Sequence, residues 1–303
     1  MSQFIQERRV LERAKMIVPF FYYFLFFIAF QRLEGLNHLL AQGPRNFSPR
    51  WPIFWADYFT YSTTATILII SFVFAALAGA FFYRYRAGRI AAFVGILGYH
   101  AFISSFGGPN HQWDLWLWVA LLFIFLPDIW RNKNQSPETQ KKFLFVFWGA
   151  QAFVLLTYSM SGIGKIYGAA IQYFQGQAHA FAFDAAALHI TSLLNMMQET
   201  TVFGPLIINY PILGWLPFIA VIYLELFSFL IAFRPSLHRS WALALILFHI
   251  GTYLAMRAVF VAPVALLLLL FFNSPFQRPS ITWQETLSNL PLFGWALRRL
   301  YPK

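Results

Sequence analysis

Lys165, Glu225, His100, His249 and Arg257 are ionisable side chains set in or at the ends of long apolar runs. A charge there is costly and usually faces other protein. A lysine in low-dielectric surroundings can serve as a base. A histidine beside an asparagine, as in Asn110-His111, can orient a substrate or hold negative charge developing on an oxygen. The segment Tyr158-Ser159-Met160-Ser161-Gly162-Ile163-Gly164-Lys165 suits such a site. Tyr158, Ser161 and Lys165 recur at helical spacing on one face, and the small residues among them permit close helix approach. The chemistry these residue types support is proton transfer. No metal-ligand spacing, phosphate loop or nucleophile elbow is visible. With no cysteine in the chain, disulfides, thiolate metal sites and a cysteine nucleophile are excluded.

Helical rise places these groups by depth. Lys165 lies about 35 Å along its helix from Lys142, and Arg257 about 24 Å from Trp241. Both positions are near one face of a bilayer, the face that also carries the turn Gly107-Gly108-Pro109-Asn110-His111. His100, Glu225 and His249 fall about 12–15 Å into their helices, near the middle. At matching depth on consecutive helices, Glu225 and His249 are expected to pair. Simpler roles exist for each: Lys165 snorkelling, Arg257 anchoring at the interface, His111 solvated in its turn, Glu225 and His249 joining helices. His179, His189 and Asp184 are expected on the surface. A haem between His100 and His249 is disfavoured, since histidines on apolar helices more often bond to a neighbour.

The elements that position these residues are apolar helices. Of 303 residues, 59% are hydrophobic and 11% charged, whereas a soluble domain carries roughly 25% charged residues. Runs of about 20 apolar residues, the length that crosses a bilayer core, recur along the chain. The expected fold is all-α: a polytopic bundle of about eight spans at 16–33, 64–83, 90–106, 113–129, 143–165, 212–233, 241–256 and 258–273. The last two are short enough to be one re-entrant unit. The first run follows basic residues but closes without a small-residue cleavage pattern, so it reads as a retained helix.

Of 22 basic residues, only Arg32, Arg45, Arg50, Lys165 and Arg257 fall in alternate segments taken as outer, which predicts that both termini are cytoplasmic. This placement accounts for the net charge of +11 without a nucleic-acid partner. Residues 1–15 read as an amphipathic interfacial helix, 16–273 as the bundle and 274–303 as a cytoplasmic interfacial tail with a short helix at 283–300. Residues 34–62 and 166–211 read as interfacial caps on the outer side, the second with an alanine-rich amphipathic stretch around 177–198.

The order of these features resembles a known family. Asn110-His111 in an outer turn is followed by Gln151 to Lys165 ending Ser-Gly-Ile-Gly-Lys, then a helix bearing Glu225, then Phe248-His249. This is similar to the transmembrane domain shared by vitamin K-dependent gamma-glutamyl carboxylase and its bacterial relatives, over residues 8–275. The resemblance implies Lys165 as the base toward a reduced quinone, Asn110 and His111 as its partners, and His249 as a later-helix histidine of the site. It also implies a small bacterial-type member in the inner membrane; as a departure from the carboxylase, no large soluble luminal region is expected beyond about residue 275. Where the carboxylase has paired lysines, this chain has Gly-Lys-Ile-Tyr.

Two functions are therefore expected to compete. One is a membrane enzyme that uses a reduced quinone at Lys165, with Tyr158, Ser161, Arg257, His249, Glu225 and His100 around the substrate or quinone pocket, to modify a small or peptidic substrate. The other is a non-enzymatic membrane subunit, a maturation or assembly factor docking a membrane-protein or secreted-peptide partner through aromatic loops at 51–62 and 173–183. A transporter is less favoured, because no repeated half or broken-helix pair is evident.

Overall fold

The computed structural model describes residues 2–42, 47–107, 113–130, 135–277 and 282–294. Among them every regular element is helical. Six helices are long and apolar enough to cross a bilayer: Arg8–Glu34, Tyr61–Phe82, Arg86–Ser104, Pro137–Phe174, Ile212–Ile231 and Pro235–Met256. The chain is a multi-pass integral membrane protein. Large apolar side chains such as Phe20, Phe74 and Phe145 stand exposed on these helices, where a bilayer supplies apolar contact.

The chain divides into two compact units, 1–151 and 152–303. The first contains α1 (Ser2–Glu34), α2 (Leu36–Gln42), α3 (Tyr61–Phe82), α4 (Arg86–Ser104) and α5 (Asp114–Phe123). The expected break between an amphipathic helix and a first span is absent: α1 runs unbroken through Pro19. Membrane helices tolerate an interior proline because neighbouring groups satisfy the freed carbonyl. Helices α3 and α4 pack across small residues; a Cβ added at Gly79 would stand 2.7 Å from Ala92 Cβ. Arg89, buried in the first turn of α4, donates to Tyr83 O at 2.9 Å and Leu126 O at 2.6 Å. It thereby caps carbonyls that the ends of α3 and of the α5 segment leave without helical partners.

Helix α6 (Pro137–Phe174) runs through the boundary between the units and reaches well past the span expected at 143–165. In the second unit follow α7 (Ala185–Met197), α8 (Gly204–Asn209), α9 (Ile212–Ile231), α10 (His238–Met256), α11 (Val261–Leu267), which continues as a π-turn over Leu268–Phe272, and α12 (Trp283–Asn289). The alanine-rich stretch expected as an outer cap is α7. The segments expected at 113–129 and 258–273 correspond to the shorter apolar helices Asp114–Phe123 and Val261–Phe272. Helix α12 begins with a capping box between Thr282 and Glu285 and ends at Asn289; residues 295–300 of the helix expected at 283–300 lie outside the described residues. Tyr223 Oη donates to Pro291 O at 2.6 Å, holding the residues after α12 against α9.

Candidate functional site

The site of the second unit begins where α6 crosses α9. Gly162 allows the approach: a Cβ there would lie 2.8 Å from Leu226 N and 3.0 Å from Glu225 Cβ. One turn away, the buried Ser159 hydroxyl reaches into the backbone of α9. It accepts from Phe229 N–H at 2.8 Å and lies within donating distance of Glu225 O at 3.1 Å and Leu226 O at 3.0 Å. A hydroxyl inserted in this way opens a helical ladder locally. Ser159 and Gly162 thus set the register that brings Glu225 opposite the functional face of α6.

That face carries Tyr158, Ser161 and Lys165, and two different partners receive it. Lys165 Nζ forms an ion pair with the Glu225 carboxylate, touching Oε1 and lying 2.5 Å from Oε2. Ser161 Oγ donates to Oε1 at 3.4 Å. The Glu225 side chain is 3% exposed and that of Lys165 35%, so the carboxylate is enclosed while the ammonium retains an open side. Tyr158 Oη is 2.8 Å from His249 Nε2. The His249 ring lies between Phe248 and Phe260, with centroids 4.9 Å from each. Phe248 also carries Lys165 Nζ 6.0 Å above its ring, within cation–π range.

Phe248 forms part of the wall of a cavity of about 510 Å³ lined almost wholly by apolar groups of α7 to α10, among them Ile190, Ile207, Phe218, Val221 and Leu247. Its one hydroxyl, on Thr252, is spent on Phe248 O within the same helix. The size is that of a small-molecule pocket. An almost wholly apolar space, linked through the Phe248 ring to Lys165 and His249, suits a ligand with a greasy body and a polar oxygen at one end.

The geometry corrects two expectations. Glu225 and His249 do not pair with each other; Glu225 takes Lys165 and Ser161, and His249 takes Tyr158. The lysine is joined to the carboxylate rather than forming a separate outer layer. Its Cα lies about one turn along α6 beyond Gly162, which meets Glu225, but side chains on a helix project toward its N-terminus, which for α6 is back toward Glu225. Arg257 does not join this cluster. It closes α10 in a left-handed conformation, half exposed, with Nη1 2.6 Å from Glu199 Oε2. There it links the end of α10 to the segment before α8.

His100 belongs to the first unit, where its Nε2 is paired with the Asp114 carboxylate on the first turn of α5. Asn110 and His111 lie outside the described residues. Sequence reasoning missed Asp114 and Glu199, and it placed Ser159 only among the small residues that permit close helix approach. The two carboxylates stand at segment edges, where charge is unremarkable, and Ser159 differs from any other small residue of α6 only by its partner. Among the described residues no group of three or more histidines and carboxylates could hold a metal. No family model, curated protein or solved structure matches the chain.

Proposed function

We propose that this protein is a carboxylase-like membrane enzyme in which the Lys165–Glu225 pair handles a proton for a reduced quinone. The observation that carries this is the pair itself: an enclosed carboxylate clamping a half-open ammonium that lies over Phe248, a ring in the wall of an apolar cavity. The residues present fit such a ligand, with apolar walls for a ring and polar groups at one end. A reduced quinone supplies an ionisable hydroxyl and reducing equivalents. The Glu225 carboxylate takes up the proton, while Lys165 stays an ammonium and stabilises negative charge on the oxygen that gave it up. Ser161 holds the carboxylate in place. Tyr158, one turn from Ser161 on the same face of α6, holds His249 of α10. By resemblance, Asn110 and His111 complete the site. The chain then has about eight spans, both termini cytoplasmic, an outward-facing site and a place in a bacterial inner membrane.

The test uses the charge pair as a pair. Lys165→Met combined with Glu225→Gln removes both charges without stranding either. The expected result is a protein that inserts and purifies as the parent does but has lost quinone binding and quinone-dependent turnover. Retained quinone binding and turnover in that double variant would remove the mechanism.

A second function, a non-enzymatic subunit or maturation factor, is favoured by the exposure of Tyr58 at 87% and Phe174 at 85%. These aromatics sit in the two segments expected to cap the outer side. Co-purification of a stable protein partner that is lost on changing Tyr58 and Phe174 to serine would support it. Full function of the isolated chain would refute it.

A further inference from the structure

We infer that His249 is a ligand-binding residue whose Nδ1–H donates to an oxygen of the bound ligand, while its Nε2 is spent on Tyr158. The class of ligand rests on the quinone function proposed above; the role of the nitrogen comes from counting hydrogen-bond groups.

His249 is buried at 6% exposure, and its Nδ1 has no hydrogen-bond partner among the described residues. Its other nitrogen is 2.8 Å from Tyr158 Oη. A phenol and a neutral imidazole carry one mobile proton each. If Tyr158 donates to Nε2, only the Nδ1–H donor is left over. If Nε2–H donates to Tyr158, the phenol proton and the Nδ1 lone pair are both left over. The first arrangement strands fewer groups, so it assigns the proton to Nδ1. A buried donor without an acceptor is costly, and such groups in folded proteins usually have a partner such as an ordered water or a ligand.

The surroundings indicate which. Phe248, which covers one side of His249, also forms the wall of the apolar cavity and lies under the Lys165 ammonium. One ring therefore stands between the cavity and two polar groups that could grip an oxygen. Rotation of that ring about its side-chain bonds joins the cavity to both. A planar carbonyl or phenol compound entering from the cavity then presents its oxygen to the His249 Nδ1–H, within reach of Lys165.

Two substitutions separate this role from a purely structural one. In His249→Asn the side-chain amide takes the place of Nδ1, keeping a donor there but losing the partner of Tyr158. In His249→Gln the amide takes the place of Nε2, keeping Tyr158 satisfied but losing the donor toward the ligand. The probe is menadione, a naphthoquinone without a tail, its affinity read from tryptophan quenching in nanodiscs. The expected result is affinity within about threefold of the parent for Asn and a loss of about tenfold for Gln, the worth of one hydrogen bond. Parent-like binding by Gln, or weaker binding by Asn than by Gln, would overturn the inference while leaving the quinone site standing. No binding by the parent protein of either menadione or its reduced form, menadiol, would instead remove the quinone function.

Should the variants fail to fold, the unmutated protein answers through its histidine ¹⁵N resonances. A protonated Nδ1 whose signal moves on adding menadione supports the assignment. A protonated Nε2, or an Nδ1 indifferent to menadione and hence bonded to a trapped water, overturns it.

Discussion

The Lys165–Glu225 contact joins two groups that would each be expensive alone, and their unequal exposure decides how each substitution behaves. Removing Lys165 strands a carboxylate that is 3% exposed. Breaking a buried pair this way costs about 3–5 kcal/mol, and the open side of the lysine places this one toward the lower end. Glu225→Gln leaves an ammonium that can turn to water or headgroups, so it is expected to cost less. The double variant Lys165→Met with Glu225→Gln should recover most of the loss, giving a favourable coupling in a double-mutant cycle of detergent melting curves. Additive effects would mean that the pair contributes no interaction of its own. The sequence disclosed which residues carry charge and that Tyr158, Ser161 and Lys165 share a face. It did not disclose their partners, because depth was counted at Cα while a lysine delivers its charge at the end of a four-carbon stem.

Helices meet in this protein through small residues and inserted polar groups, and these are the points at which an element can be dislodged. Gly162→Leu would drive a side chain into the α9 backbone around Leu226. The expected outcome is separation of α6 from α9 and loss of the Lys165–Glu225 pair, with a lowered melting temperature and weakened quinone binding. Gly164 has no atom within 4 Å of an added Cβ, so Gly164→Ala should melt as the parent does. Arg89 is the corresponding point in the first unit. By sequence it is one more inner positive charge, but at 1% exposure it is a cap inside the protein. Arg89→Met should lower stability by about 1–3 kcal/mol, the cost of carbonyls left unsatisfied, measurable by denaturant titration in micelles. Long helices were legible because their apolar runs are long. The continuity of α1 through Pro19 was not, since a proline after a charged stretch has the same sequence signature whether it starts a helix or lies within one.

At the scale of the molecule, six long apolar helices establish the membrane, and the distribution of basic residues predicts which way the chain faces. The absence of cysteine makes this directly testable. A single cysteine at exposed Asp57 should react with a membrane-impermeant maleimide added to the outside of intact cells. One at Glu138, 76% exposed ahead of the long span, should react only after the inner side is opened. Reaction of both from the same side would reverse the proposed topology. Composition alone disclosed the class of the protein, but the division into two units was invisible, because no linker, repeat or shift in composition marks it along α6.

The ion pair has a consequence for how the chain is made. Lys165 and Glu225 are 60 residues apart, and the lysine leaves the ribosome first. Its open side lets it wait near the headgroups, with the rest of α6 already in the lipid. When α9 arrives it carries an acid that a bilayer would resist, yet a counter-ion is already at hand. The residue that serves the site in the finished protein would then act as a receptor for a later helix during synthesis. A chain with the two residues exchanged would send the acid in first, and a slower or less complete insertion of α9 would show that order matters as well as pairing.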